Sequence, residues 1–134
     1  MFIMTPTEQL LALAYSHEFK KQNKGGLSVW RERLVKKLIV ERLSESIEVV
    51  ELANACSLSR SHFSRAFKRT TGLSPQEWIR HQRIYQAKQL IQNSRLSLAQ
   101  ISNDCGFSDQ AHFCNAFIRS VGVTPLAWRN REVC

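Results

Sequence analysis

From Ser28 to about Leu43 the apolar positions recur three and four residues apart. Val29 or Trp30, Leu34 and Leu38 fall on one helical row, Val35, Ile39 and Arg42 on the next, and Arg31, Glu32, Lys36 and Lys37 are left to turn outward. That spacing predicts an amphipathic helix. Upstream, "TPTEQLLALAYSHEFKK" over residues 5–21 predicts another. Thr5 or Thr7 can cap it, Pro6 is tolerated in the first turn, Glu8 suits the N-terminal dipole, and two lysines close it before "NKGG" breaks the pattern. Downstream, "IEVVELANA" over 47–55 reads as a short helix ending at Cys56, Ser57 and Leu58. Ser59 then caps a new helix running to about Thr70, with Gly72 placed as a C-cap glycine. A short helix, a tight turn and a longer helix make a helix-turn-helix.

The pattern then comes back. "LAQISNDCGFSDQAHFCNAFIRSVG" sets Ile101 against Leu52, Ser102 against Ala53, Cys105 against Cys56 and Phe107 against Leu58. After the turn it gains one residue. His62, Phe63, Ala66, Phe67, Arg69, Gly72, Pro75 and Trp78 thereby match His112, Phe113, Ala116, Phe117, Arg119, Gly122, Pro125 and Trp128. Between the copies, "SPQEWIRHQRIYQAKQLIQNS" predicts a long helix with Ser74 as cap, Pro75 at the first helical position and Glu77 three residues after the cap. Trp78, Ile84, Ala87 and Ile91 face the protein. Its span of roughly 27 Å at helical rise is comparable with the ~34 Å between successive major-groove faces of B-DNA. The fold expected is all-α: an N-terminal helical extension over 1–26, a first helix-turn-helix over 27–73, a linker helix over 74–93 and a second helix-turn-helix over 94–134.

Charge turns this architecture toward a partner. Among 134 residues, 19 Lys and Arg against 11 Asp and Glu leave a formal charge of +8, in an otherwise ordinary composition of 43% apolar and 22% charged residues. Such an imbalance points to a polyanion. No apolar run approaches the roughly 18 residues that a membrane span needs, and "MFIM" is too short for a signal-peptide core and lacks a basic residue before it. A cytoplasmic protein is expected. Cys56, Cys105, Cys114 and Cys134 form no C-x-x-C pair, and His17, His62, His81 and His112 are scattered singly, so no metal site and no cofactor is expected.

On the first reading helix, Ser61, Ser64, Arg65 and Lys68 make a stripe opposite Phe63, Ala66, Phe67 and Thr70, with Arg60 beside it. Arginine offers a bidentate fork to guanine, serine bonds base edges or phosphate, and lysine adds a charge for the backbone. The same residues would suit a merely solvated face, but a helix-turn-helix and the overall charge favour DNA. The aromatic residues sit on the opposite stripe and are assigned to the core. His62 and His112 lie at its edge, as structural groups or phosphate donors, and nothing nearby supplies a serine-histidine-carboxylate arrangement for catalysis.

Over roughly Trp30 to Arg129 the chain resembles the DNA-binding domain of the AraC/XylS family of bacterial transcription regulators. The resemblance rests on "LANACSLSRSHFSRAFKRTTGLSPQEWIRHQRI" and "ISNDCGFSDQAHFCNAFIRSVGVTPLAWR", above all "CGFSDQAHF" and the "TP" followed by "WR". It implies seven helices in two helix-turn-helix subdomains, each placing its second helix in one of two adjacent major grooves. It implies base-reading positions at Ser61, Ser64 and Arg65, with Arg60 and Lys68 adjacent, and at Gln110, Ala111, Cys114 and Asn115 in the second copy. Phosphate contacts are implied at Arg69, Arg119, the capping hydroxyls Ser59 and Ser108, and around Ser74 and Thr124. The second copy departs from the family pattern, because its outward stripe of Ala111, Cys114, Asn115 and Ile118 has no cation. Gln110 and Asn115 can still address adenine, and Ala111 a thymine methyl. The first head is therefore expected to anchor and the second to discriminate weakly or read shape.

About 26 residues precede the resemblance, which suggests the short stand-alone members of the family, binding asymmetric promoter sites as monomers and activating by touching RNA polymerase. The N-terminal helix, with Leu10, Leu11, Leu13, Ala14, Tyr15 and Phe19, either packs on the domain, offers a partner surface or is the remnant of a linker in a longer chain. A rival reading is a protein-interaction module recruited by polymerase or another regulator with weak DNA binding of its own, favoured by the poor second stripe. An alkyl-transfer repair enzyme is set aside for want of a cysteine-rich zinc domain.

Overall fold

The computed structural model describes residues 25–133, and among these it contains seven helices and no strand. They are α1 (Val29–Glu41), α2 (Val49–Ala55), α3 (Arg60–Thr71), α4 (Pro75–Asn93), α5 (Leu98–Asp104), α6 (Gln110–Val121) and α7 (Pro125–Val133). The all-α expectation holds. The helix expected over 5–21 and Cys134 lie outside the described residues. The chain divides into two compact units, one of residues up to Glu41 with Ile47–Gln76, the other of Arg42–Ser46 with the residues from Glu77 onward.

In the first unit the stripes read from the sequence meet. Val35 and Ile39 of α1, Leu52 and Ala53 of α2, and Phe63, Ala66 and Phe67 of α3 are each at most 2% exposed. Phe63 and Phe67 touch with ring centroids 5.7 Å apart, a spacing that adds to their area burial. The α1 helix ends at Glu41, before the expected Leu43. Arg31 differs from expectation too: it is half-buried and its Nε is shielded from solvent, on the side of Cys56. At the other end of the unit, the Leu27 N–H donates to Thr70 Oγ1 at 2.8 Å, holding the segment before α1 to the end of α3.

Both helix-turn-helix turns are Schellman turns, which explains why one small residue is needed in each. In the first, the Ser57 N–H donates to the Asn54 carbonyl and the Leu58 N–H to that of Ala53, at 3.0 Å each. In the second, Gly106 donates to Asn103 and Phe107 to Ser102, at 3.1 Å each. This closure requires a left-handed residue after the cap. Gly106 supplies φ +84, but the equivalent Ser57 is forced to φ +58. A left-handed L-residue costs roughly 1–2 kcal/mol, partly offset by the roughly 0.5–1 kcal/mol of extra chain entropy that glycine loses on folding. Ser57→Gly is therefore expected to stabilise the first unit by about 0.5–1 kcal/mol, seen as a raised urea midpoint with an unchanged slope. An unaltered midpoint would mean that Ser57 is unstrained.

The second unit is built on α4. Ile84, Ala87 and Ile91 of that helix, Ile101 and Cys105 of α5, Phe107, Phe113, Ala116 and Phe117, and Trp128 of α7 form one core. Phe117 meets Phe113 and Trp128 edge-on, with centroids 5.8 and 6.0 Å apart. The helix expected to link the copies is thus largely part of this unit. Trp78 is only half-buried, and Ile79 beside it takes the buried place at 5% exposure. Two arginines tie loops down. Arg83 donates from Nε to the Leu43 carbonyl at 3.3 Å and from Nη2 to that of Glu45 at 2.8 Å. Arg129, following Trp128 in the "WR" pair, donates to the Leu96 carbonyl at 2.7 Å.

Candidate nucleic-acid interface

Each unit offers one helix whose buried stripe fixes the direction of the opposite one. On α3, Phe63, Ala66 and Phe67 are buried, so Ser61, Arg65 and Lys68 stand exposed and Ser64 is half-buried at the edge of the stripe. Arg60 is the first residue of the helix and is exposed. The Ser59 hydroxyl accepts the His62 N–H at 3.1 Å, and Gly72 closes the far end at φ +83 with its N–H on the Lys68 carbonyl. The cap pins the first turn, from which Arg60 and Ser61 project. Arg69 is exposed, but its guanidinium lies where a side chain on Gly25 would fall, so this arginine also packs under the segment leading to α1.

On α6, Phe113, Ala116 and Phe117 are buried. Gln110, Ala111, Asn115 and Arg119 are exposed, Cys114 is half-buried, and Ile118 is 40% exposed. The structure therefore brings Gln110, Ala111, Cys114 and Asn115 onto one face, with Arg119 at its flank. An apolar Ile118 stands where α3 has Lys68.

The cap of α6 corrects the sequence reading. Asp109, not Ser108, is the cap: its Oδ1 accepts the His112 N–H at 2.7 Å. The residue gained in the second copy is Ser108, so Asp109 takes the place of Ser59. Ser108 instead lies against the His112 ring, with its Oγ 3.1 Å from Nδ1, while that ring meets Phe107 edge-on at 5.3 Å. Sequence reasoning also missed Ser102. Only 2% exposed, it donates from Oγ to the Asp109 carbonyl at 3.1 Å and so ties α5 to the start of α6. Its counterpart Ala53 has no such group, and that contrast was the one available signal. At the next helix start, the Thr124 hydroxyl accepts the Ala127 N–H at 3.0 Å.

The thiols separate by position. Cys56 and Cys105 are 1% and 0% exposed, and burial pushes both up to about 11, with Arg31 opposing the rise at Cys56. At Cys105, Asp104 reinforces the rise and Arg83 opposes it. They serve as small core residues. Among the described residues no group of acidic, histidine or cysteine side chains could hold a metal ion, and no helix is long and apolar enough to cross a membrane.

Comparison with known proteins agrees with this geometry. A family model described as a helix-turn-helix domain matches residues 52–131, more than half of the chain. The Msm operon regulatory protein of Streptococcus mutans is 40% identical over 75 residues, which cover 56% of this chain and 27% of that protein. The probable transcriptional regulator LumQ of Photobacterium leiognathi is 31% identical over 112 residues, covering 78% of this chain and 45% of its own length. The chain thus spans less than half the length of either of these curated relatives. Among solved structures, the DNA-binding domain of the global transcriptional factor AdpA, in complex with a target DNA, superposes with a TM-score of 0.72 at 32% identity, over 75% of this chain and 91% of that one. Two capped helices, each behind a Schellman turn, and a family match running through both of them place this chain in the AraC/XylS family of helix-turn-helix transcription regulators.

Proposed function

We propose that this chain regulates transcription by binding duplex DNA sequence-specifically, with α3 and α6 set in adjacent major grooves. The observation that carries the reading is the exposed stripe of Ser61, Arg65 and Lys68 on a capped helix whose other side is fully packed. Arg65 is the base-reading fork, Ser61 and Ser64 bond base edges or phosphate, and Arg60, Lys68 and Arg69 supply charge. In the second head Gln110 and Asn115 address adenine, Ala111 and Cys114 make small contacts, and Arg119 meets phosphate. The first head anchors and the second tunes. The chain acts as a monomer on an asymmetric promoter site and activates through contact with RNA polymerase, as the family resemblance implies.

Selection of sites from a random duplex library at near-physiological salt, followed by footprinting, tests this. An asymmetric site spanning about two helical turns, protected more strongly on one half, is expected. No enrichment, with only weak and steeply salt-dependent binding, would sink the reading.

A further inference from the structure

Beside the second reading stripe lies an open groove of about 400 Å³ between α4 and the end of α6. Ile84 and Val121 line its inner part, and His81, Tyr85, Lys88 and Arg119 surround its mouth. Three features set it apart from ordinary surface. Tyr85 is 62% exposed, so packing gives no reason for its ring. Lys88 holds its ammonium 5.6 Å from the centroid of the Trp128 ring, a placement that fixes where the charge stands. Among the described residues, neither Lys88 nor Arg119 has a carboxylate partner.

Position decides what the groove is for. Arg119 is four residues beyond Asn115 and one beyond Ile118, so it flanks the reading stripe on the side that borders α4. A helix seated in a major groove about 12 Å wide has a phosphodiester strand along each flank. The groove is open and has no buried polar group with which to select a small ion. A polyanion that is already oriented by its own grooves suits it better. It also supplies the charge that Ala111, Cys114, Asn115 and Ile118 lack.

We propose that this groove seats the DNA backbone flanking the second reading helix, with Lys88 and Arg119 paired to phosphate and the Tyr85 hydroxyl and His81 as further donors. The inference rests on the reading that α6 enters DNA. The second head is then cationic at its flank and neutral at its centre, whereas the first carries cations at its centre as well.

The test measures how affinity for the selected duplex varies with salt, using the full chain. Each phosphate contact contributes about 0.9 to the slope of log K against log salt. Lys88→Gln and Arg119→Gln are each expected to flatten the slope by about that amount, and the pair by about twice as much, with the preference for the selected site over a scrambled one unchanged. Lys88→Met, which keeps an apolar stem on Trp128 and removes the charge, is expected to flatten the slope as Lys88→Gln does, so that lost packing is told apart from a lost phosphate contact. Arg33→Gln, an exposed cation on α1, serves as the control and leaves the slope alone. A slope unmoved by both groove variants, while the wild-type chain binds its site, overturns the proposal. A wild-type chain that selects no duplex overturns the functional reading and the groove with it.

Discussion

Replacing Gly106 by alanine is expected to destabilise the second unit by roughly 1.5–4 kcal/mol, the sum of a net left-handed penalty of about 0.5–1 and an overpacking cost of about 1–3. The glycine sits at φ +84, and a Cβ there would collide with the carbonyl oxygen of Leu43 and come within 2.9 Å of Arg83 Nε. Neither neighbour can withdraw freely. The Leu43 carbonyl belongs to a backbone segment held by the same Arg83, through the bonds to Leu43 and Glu45. Burial lowers the pKa of that guanidinium from its ordinary value, and it still donates both bonds. Gly72 supplies the matched comparison. Its φ is +83, yet a Cβ there meets nothing within 4 Å. Gly72→Ala should therefore cost only the net left-handed term, about 0.5–1 kcal/mol once the chain entropy that glycine loses on folding is set against it. Urea unfolding of the two variants side by side separates backbone conformation from close approach. Equal losses would refute the close-approach account.

On the proposed DNA reading, Arg65→Ala is expected to weaken binding to the selected duplex by roughly 5- to 150-fold, the equivalent of about 1–3 kcal/mol for one bidentate base contact. Asn115→Ala, at the equivalent position of α6, should cost several-fold less. Arg65 stands on a stripe with Lys68, where the removal of a charge also releases a counterion term. Asn115 stands between Ala111 and Ile118, where no such term exists. The reciprocal exchange sharpens the contrast. Asn115→Arg should tighten binding to all duplexes and steepen the salt slope by about 0.9, while eroding the preference for the selected site. Equal losses from the two alanine variants would show that the heads share the work evenly.

Local pattern made much of this molecule legible. The rows Phe63, Ala66, Phe67 and Phe113, Ala116, Phe117 could be read as buried because helical spacing depends only on near neighbours, and the exposed stripes followed as their opposites. The end of α3 at Gly72 and the start of α4 at Pro75 were equally local. Arg83 was not legible. Its bonds reach back 40 and 38 residues, and nothing in "RHQRIYQ" distinguishes it from Arg80. The choice of cap for α6 failed for another reason. Ser108 and Asp109 are both competent caps, and the choice between them was made by Ser102, six and seven residues upstream, holding the Asp109 carbonyl. Arg31 was misread because a charged side chain on a broad apolar face can bury its stem and part of its head.

The two turns also bear on whether the heads are exchangeable parts. The first, with Ser57 exposed and left-handed, would accept the glycine of the second. The second cannot accept the serine of the first, because the Leu43 carbonyl occupies the space that any side chain needs. Transplantation between the heads thus runs in one direction only. A chimera meant to carry two identical readers has to graft residues 60–71 onto the frame of α6 behind an untouched Gly106, because moving the whole motif would bring the serine with it. The two copies of the motif thus form a pair with a fixed order.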